Sequence, residues 1–327
     1  MINFIIESFP IWKSSCLIEE TYLWNKTLDF FGVNILYYNI GKNRIGEYNM
    51  FKKPSMLVED FHPDNSFGNL AYEASQQGCN ILVKENVFNG DELNFFHDGE
   101  IVLCQTSLGL ALRIQKETNW NPGPWLTAEN YECVKYYPIL QESGIPLFNG
   151  KCKFYTRKNI EQNINSIIKE YGEKESNRIF IRPSSGLKTF TGMVFQWREP
   201  YWSQDWFWVE EGTNDSDILM VASPVGHYDR IVAEWRFIAS DKEIISGSQY
   251  MKESEKEYSE VWEQEAYELA FETAQVFQPD PMYTIDICKT ANDKFYVMEL
   301  NSFSCAGLYG CDLKPVVERM IDITRNL

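Results

Sequence analysis

Residues 282–301 read MYTIDICKTANDKFYVMELN, and this stretch decides the fold of the C-terminal part of the chain. It has the form of two strands joined by a short polar turn, for which Asn292-Asp293 suits a two-residue hairpin. Pairing the strands outward from that turn places Asp286 directly opposite Glu299. Because side chains alternate between the two faces of a strand, Glu299 and Asn301 share a face. The hairpin therefore predicts that Asp286, Glu299 and Asn301 lie together.

The two acids of this hairpin predict a cation between them, since like charges directly opposite each other destabilise a sheet. Two carboxylates and an amide oxygen are hard ligands of the kind that Mg²⁺ or Mn²⁺ takes, often together with substrate phosphates. The alternative is a surface hairpin with two solvated acids. A buried sheet, where bare charge is costly, is favoured by the apolar residues along both strands: Tyr283, Ile285, Ile287, Val297, Met298 and Leu300.

A second element, at residues 178–197, reads RIFIRPSSGLKTFTGMVFQW, a strand, a loop and a strand. The loop carries two glycines and several hydroxyl side chains around Lys188, so it can bring backbone N–H groups and an ammonium to phosphate oxygens. It lacks the Walker A pattern, and a strand rather than a helix follows it. An ordinary turn is the alternative interpretation.

A third element, at residues 231–239, reads IVAEWRFIA and places Glu234 and Arg236 on one face of a strand. A structural ion pair between these two side chains is the simpler interpretation. Taken together, the three elements supply carboxylates for a metal, a phosphate loop and additional cations in one β-rich part of the chain. Phosphoryl transfer from ATP requires this combination.

Composition excludes several classes of protein. The 327 residues carry 30 Lys and Arg against 47 Asp and Glu, a net charge of −17, which disfavours binding to nucleic acid backbones. No apolar run reaches the roughly 18 residues of a membrane span. Residues 1–7 carry an acid and no basic residue, so we expect a first strand there and no signal peptide.

The reactive side chains narrow the chemistry further. The eight cysteines are dispersed without a C-x-x-C pair, which argues against zinc and thioredoxin-like sites and predicts a cytoplasmic protein with reduced thiols. Three histidines leave little for a His-based triad or a zinc hydrolase. Carboxylates, Arg and Lys are therefore expected to carry the chemistry.

The remaining pattern predicts two regions of different character. Apolar runs at 2–6, 33–38, 55–59, 80–84 and 100–104 alternate with stretches of helical length, which is typical of an open α/β layer. No G-x-G-x-x-G follows these strands. A breaker-rich loop is expected at 119–125, helices at 128–143 and 159–171, and a long helix near 254–277 with a solvated acidic face. The aromatic segment 197–208 is either a substrate lid or, as its burial potential favours, core packing. Beyond the elements above, strands are expected at 218–222, 231–239, 243–250, 282–288 and 294–301.

The order of these motifs resembles the ATP-grasp superfamily, in particular a clade of stand-alone phage and bacterial proteins whose ATP site opens with Arg-Pro-Ser-Ser-Gly-x-Lys. The resemblance covers about residues 100–310. It implies a mixed α/β and α+β architecture, with an N-terminal α/β (pre-ATP-grasp) subdomain at 1–110 and an ATP-grasp domain at 111–327. Within that domain it implies a small lobe at about 111–225 and a large lobe at about 226–327.

Position by position, the resemblance implies roles for the quoted residues. Asp286, Glu299 and Asn301 would bind Mg²⁺, or Mn²⁺. Catalytic cations would be Arg182, in place of the family's usual lysine, Lys188 in the mobile loop, and Arg236 at the γ-phosphate or acyl phosphate. The remaining ATP contacts would come from Ser185, Gly186 and Thr189 in the loop, Ser223 and Val225 in the adenine hinge, and Glu234 at the ribose or beside Arg236. Residues after Asn301, namely Ser302, Ser304, Gly307 and Tyr309, are candidates for lining the acceptor site.

The resemblance implies an ATP- and Mg²⁺-dependent carboxylate–amine (or carboxylate–thiol) ligase that works through an acyl phosphate. Its partners would be a carboxylate substrate and an amine acceptor, which could be an amino acid, a peptide or a protein. Serines and a tyrosine at residues 246–250 stand where many family ligases have basic residues, so the acceptor geometry differs. The alternatives are an ATP-dependent phosphotransferase and a non-catalytic nucleotide-binding module. The sequence does not determine either substrate, the number of metal ions or the oligomeric state.

Overall fold

The computed structural model of the chain describes residues 36–37, 53–59, 66–84, 91–199, 201–226, 229–325 and 327. The predicted strand at 2–6 lies outside these residues. Of the predicted strand at 33–38, Leu36–Tyr37 is described, and it forms a short strand, β1. Within the described part of the chain, no helix has both the length and the apolar character that crossing a bilayer requires.

The first sheet is an open α/β layer, as the sequence predicts. Its further strands are β2 (Ser55–Glu59), β3 (Asn80–Lys84), β4 (Ile101–Gln105) and β5 (Asn121–Gly123). They pair in the order β1-β3-β2-β4-β5, with β1 antiparallel and the others parallel. Helices α1 (Ser66–Gln76) and α2 (Leu108–Glu117) follow β2 and β4. Segment 119–125, predicted to be a loop, contributes β5 to the sheet edge.

The second sheet is antiparallel and is preceded by helix α3 (Cys133–Glu142). Its strands are β6 (Cys152–Thr156), β7 (Arg178–Pro183), β8 (Met193–Arg198), β9 (Tyr201–Trp202) and β10 (Ile218–Ala222), in the order β6-β10-β7-β8-β9. Helices α4 (Arg157–Tyr171) and α5 (Trp206–Gly212) pack on one face through a buried apolar cluster. The opposite face is therefore free to carry the phosphate-loop strands toward the third sheet.

The aromatic segment 197–208 divides between packing and exposure. Trp202 stacks on Trp206 with ring centroids 4.1 Å apart, and Trp197 meets Trp202 edge-on. These rings cover Phe195 and build the core of the second sheet, so the packing interpretation holds for them. Phe207 and Trp208, on the other side of α5, are exposed.

The third sheet carries the acidic hairpin. Its strands are β11 (Ile231–Ser240), β12 (Glu243–Lys252), β13 (Glu255–Ser259), β14 (Tyr283–Thr290) and β15 (Phe295–Ser302), all antiparallel in the order β13-β12-β11-β14-β15. Helix α6 (Gln264–Val276) packs on one face, over Trp235, Phe237 and Ile285. Helix α7 (Leu313–Thr324) packs with α1 near the first sheet. The face opposite α6 is left for polar side chains.

The helix predicted near 254–277 is wrong in its first part. Residues 255–259 form the edge strand β13, paired with β12, and α6 begins only at Gln264. The glutamates of this stretch suit an edge strand, since charged side chains there discourage pairing with another chain. The predicted solvated acidic face is confirmed, because Glu255, Glu265, Glu268 and Glu272 are exposed.

The three sheets follow one another along the chain in the order expected for the N-terminal subdomain, small lobe and large lobe. The boundaries at residues 110 and 225 stay predictions. The described part of the chain shows free cysteines throughout, in agreement with the absence of a disulfide framework from the sequence pattern.

Candidate active site

Four polar side chains form a row across the third sheet. In the register of the strands, Ser248 of β12 lies opposite Arg236 of β11, Arg236 lies opposite Asp286 of β14, and Asp286 lies opposite Glu299 of β15. Directly opposed positions bring side chains into contact on one face of a sheet. The predicted pairing of Asp286 with Glu299 is therefore confirmed, although the turn that suggested it is different.

The hairpin turn contains three residues, and a bulge restores the predicted register. The Asp293 amide donates to the Thr290 carbonyl and the Thr290 amide to the Lys294 carbonyl, with Asp293 in the left-handed region at φ 62°. The register then shifts between Asp286 and Ile287, where Met298 is the extra residue. This bulge allows both Val297 and Leu300 to point into the core. Glu299 and Asn301 consequently lie on the opposite face.

Asp286 holds the Arg236 guanidinium in a bidentate pair. The Nε of Arg236 donates to Oδ1 of Asp286 at 2.8 Å, and Nη2 donates to Oδ2 at 2.7 Å. The third contact runs from Nη1 to the carbonyl of Gly307 at 2.8 Å. Burial alone would disfavour the charged guanidinium, but the Asp286 carboxylate outweighs it, and the pKa of Arg236 is raised well above its ordinary value.

Two cations of the second sheet meet Glu299 across the space between the sheets. Nη2 of Arg182, on β7, donates to Oε2 of Glu299 at 3.0 Å. Nζ of Lys188, in the phosphate loop, donates to Oε1 at 2.8 Å. Burial would raise the pKa of Glu299, but Lys188 and Arg182 together hold it well below its usual range. The loop and the acidic hairpin, distant in sequence, are thus parts of one site.

Glu234 does not pair with Arg236, so the simple ion pair suggested by their spacing is wrong. Its carboxylate accepts a hydrogen bond from the Tyr250 hydroxyl instead. Burial raises the pKa of Glu234; the Tyr250 hydrogen bond opposes this, and the nearby Asp286 and Glu299 carboxylates reinforce it. Glu234 therefore lies beside the row and contributes a further buried acid.

The predicted metal ligands fit a hard divalent cation. Asn301 donates from Nδ2 to Oδ2 of Asp286 at 3.1 Å, while its buried Oδ1 accepts no hydrogen bond from any described residue. An orphaned buried acceptor is unfavourable unless another group satisfies it. The described residues hold no group of three or more His, Cys, Asp or Glu side chains suited to a metal. A cation here would thus rest on Asp286, Glu299 and the Oδ1 of Asn301.

The phosphate loop is anchored at its start. Ser184 accepts the amide of Val134 at 2.9 Å through its hydroxyl and the amide of Cys133 at 2.8 Å through its carbonyl, so it caps the beginning of α3. A Cβ on Gly186 would lie 2.6 Å from the Cβ of Tyr131, which explains that glycine by close packing. The Ser185 hydroxyl accepts the amide of Leu187 within the loop. Lys188 itself has a left-handed backbone, at φ 48°.

The remaining predicted contacts lie around this loop and at the end of β10. Thr189 lines a groove of about 550 Å³ between the loop and α5, together with Lys188 and Trp208. Ser223 and Val225 follow β10 in an exposed connection to β11, away from the row. The structure thus brings Arg182, Lys188, Arg236 and the three metal candidates together, whereas the adenine-hinge residues stand apart from them.

A family model described as an ATP-grasp domain, the second family of its clade, matches residues 154–319, which is just over half of the chain. The chain belongs to this ATP-grasp family. The matched range contains the phosphate loop, the Arg236 strand and the acidic hairpin, so the family predicted from these three motifs is confirmed.

Solved structures show the same fold. D-cycloserine synthetase DcsG is similar with a TM-score of 0.56 at 11% identity, over 82% of this chain and 98% of that one. ATP-grasp ligase PsnB complexed with a minimal precursor is similar over 83% of this chain and 99% of that one, with 12% identity and a TM-score of 0.48. A comparison with curated protein sequences returned no match. The likeness to DcsG, at this identity, concerns the fold alone and confirms the predicted fold class.

Sequence reasoning missed the partners of two residues in this ATP-grasp site. Neither the Arg236–Asp286 pair nor the bond from Tyr250 to Glu234 follows from spacing. The signal lay in the hairpin of β11 and β12, whose turn residues Asp241 and Lys242 both have positive φ. Two register shifts in that hairpin displace the pairing from the one a plain turn would give. They place Ser248, and not its neighbour, opposite Arg236.

Proposed function

We propose that this ATP-grasp protein is an ATP- and Mg²⁺-dependent carboxylate–amine ligase that works through an acyl phosphate. One observation carries the proposal: Arg182 and Lys188 of the second sheet converge on Glu299, which continues the row of Asp286 and Arg236. Three cations and two carboxylates meet where the two sheets face each other. The family match and the ATP-grasp fold support an ADP-forming ligase.

In the first step, an oxygen of the substrate carboxylate attacks the γ-phosphorus of ATP, and the bond from that phosphorus to the β,γ-bridging oxygen breaks. In the second step, an amine nitrogen attacks the acyl carbon. The C–N bond forms, inorganic phosphate leaves with the C–O electron pair, and the amine loses a proton. Negative charge builds on phosphoryl oxygens in the first step, and Arg182, Lys188 and Arg236 are fixed cations that stabilise it.

Asp286, Glu299 and the Oδ1 of Asn301 would hold Mg²⁺, or Mn²⁺. When bound, the metal would neutralise phosphate oxygens at this end of the nucleotide. The hydroxyls of Ser185 and Thr189 and the backbone at Gly186 would contact the phosphates, and the chain at Ser223 and Val225 would read the adenine edge. Glu234 would meet the ribose or act through its neighbours beside Arg236. These roles rest on the family's motif positions and on the geometry of the row.

The substrates are proposed by class only: a carboxylate donor and an amine acceptor, which could be an amino acid, a peptide or a protein terminus. DcsG is named as a D-cycloserine synthetase, and PsnB as a ligase with a peptide precursor. The side chains at residues 246–250 are serine, glycine, glutamine and tyrosine, and none is basic. The acceptor site therefore differs in charge from ligases that carry cations there.

The test mixes the purified protein with ATP, Mg²⁺ and pooled amino acids and peptides, and measures ADP, AMP and inorganic phosphate. Substrate-dependent ADP and phosphate are expected, together with a product of the summed mass less one water. Both activities should vanish in Glu299→Gln, while Glu272→Gln, an exposed acid on α6, should act as wild type. ADP without free phosphate would establish the phosphotransferase instead. Mg²⁺-dependent ATP binding by calorimetry without any turnover would establish the binding module, and AMP would refute the acyl phosphate.

A further inference from the structure

Arg236 is held so that two of its donors stay available. A guanidinium carries five N–H groups in a fixed plane. Two of them bind Asp286 and one binds the Gly307 carbonyl, so three are used by the described residues. One N–H remains on each of Nη1 and Nη2. The plane of the guanidinium therefore decides where these two donors point.

One face of that plane is covered by a stack of three tyrosines. The ring of Tyr309 lies 4.9 Å from the Arg236 Cζ, and the ring of Tyr250 lies 5.8 Å from it. Tyr250 and Tyr309 stack with centroids 4.6 Å apart, and Tyr258 lies on Tyr309 at 5.6 Å. Tyr250 is in turn fixed by its hydroxyl, which donates to the buried Glu234. The stack thus forms a firm wall beside the guanidinium.

Tyr309 reaches this position with a left-handed backbone, at φ 50°. An aromatic residue is strained in that region, and such strain persists only where the surroundings impose it. Both sides of Tyr309 are tied down: the Leu308 amide donates to the Ser66 hydroxyl at 3.1 Å, and the Gly310 amide donates to the Ser248 hydroxyl at 3.1 Å. A residue that favours this backbone, such as Asn or Gly, would fit the loop with less strain. The ring of Tyr309 is therefore retained against the preference of its backbone.

We propose that Tyr309 is a positioning residue for Arg236: its ring fixes the guanidinium plane so that the two remaining N–H donors face the transferring phosphoryl group. This proposal rests on the proposed function, in which Arg236 meets that group. Orientation matters because a donor contributes to catalysis only where it is aimed at the charge that develops. A cation on an aromatic face is also attracted to it, most strongly when both are away from water. Tyr250 supports the Tyr309 ring from behind, and Tyr258 is the outermost layer.

The test compares Tyr309→Asn and Tyr309→Phe with Tyr258→Leu as the matched control from the same stack. Tyr309→Asn removes the ring and suits the left-handed backbone, so we expect kcat to fall about 10-fold with KM for ATP nearly unchanged. Its urea midpoint should equal or exceed that of the wild type. Tyr309→Phe keeps the ring and should restore kcat. A purely structural role for Tyr309 predicts the opposite for stability, because lost packing would lower the midpoint together with kcat.

A second readout does not depend on turnover. Hydrogen exchange of the Arg236 Nε–H, followed by NMR on protein with ¹⁵N-labelled arginine and assigned with Arg236→Lys, reports how firmly the guanidinium is held. We expect exchange about 10-fold faster in Tyr309→Asn and unchanged in Tyr309→Phe and Tyr258→Leu. Unchanged exchange in Tyr309→Asn, or a midpoint that falls in parallel with kcat, would overturn the proposal. A wild-type protein without ADP formation would refute the proposed function alone, since the exchange result still decides how Arg236 is held.

Discussion

The pair formed by Arg236 and Asp286 should be the most strongly coupled ion pair in the described part of the third sheet. The two N–O distances are 2.8 Å and 2.7 Å, and the two side chains are only 8% and 3% exposed. Removing one partner of such a pair leaves an uncompensated charge in a low-dielectric interior, which costs roughly 3–5 kcal/mol. Asp286→Asn and Arg236→Met should each destabilise the protein by about this amount.

The double variant decides whether the cost comes from the pair. Because it buries no unpaired charge, we expect Arg236→Met with Asp286→Asn to be no less stable than the worse single variant. The coupling energy should then reach about 2–3 kcal/mol, the upper range for residues in contact. As a control, Glu173→Gln breaks the exposed pair with Arg178 and should leave the free energy of unfolding nearly unchanged.

The assay is urea unfolding at pH 7 with EDTA, so that metal binding does not enter the comparison. Far-UV circular dichroism and tryptophan fluorescence should give coincident transitions, because a single free energy is defined only for a two-state process. If the probes separate, amide hydrogen exchange in β14 measures the third sheet by itself. Additive single variants, with a coupling near zero, would refute the view that Asp286 compensates a buried Arg236.

Three further predictions concern Glu299, the glycines and the bulge. The pKa of Glu299 is lowered in the folded protein, so its stabilisation is complete above the unfolded value of about 4.3 and is lost as pH falls through the folded pKa; Glu299→Gln should flatten the acid limb of a stability–pH curve, and parallel curves would contradict this. Gly186→Ala should cost about 1–3 kcal/mol by thermal melting, whereas Gly109→Ala, in an open position of α2, should gain up to about 1 kcal/mol; equal effects would refute the packing argument. Deleting Met298 should remove the bulge and lower the melting temperature sharply, because Val297 and Leu300 could no longer share the core, and an unchanged melting temperature would count against it.

Much of the strand content could be predicted from local pattern. The segments at 55–59, 80–84 and 218–222 form strands with the predicted bounds, because runs of apolar residues between polar stretches suit a buried strand. Prediction failed at 255–259, where alternating charged residues and a glutamate-rich neighbourhood gave the same signal as a solvated helix. The pairing partner β12 decided for a strand there. Local propensity alone does not contain that information.

The hairpin of β14 and β15 shows how a register can be right when its turn is wrong. The predicted two-residue turn is a three-residue turn, and the bulge at Met298 offsets the difference by one position. Bulges in β11 and β12 have the opposite consequence, since they hide the partners of Glu234 and Arg236 from any argument on spacing. Register in a sheet is set by the packing of one face against the core, and the turn contributes only part of it.

The sequence by itself determined which residue types could do the chemistry, since carboxylates, Arg and Lys recur at strand spacing while histidines and paired cysteines are few or absent. It also determined the ATP-grasp family, through the order of a phosphate loop, an Arg strand and an acidic hairpin. Only the tertiary structure decided who pairs with whom: Arg236 with Asp286, Glu299 with Arg182 and Lys188, and Glu234 with Tyr250. The physical reason is that these contacts join residues up to 117 positions apart. Their geometry depends on how three sheets pack, and no local pattern of side chains encodes it.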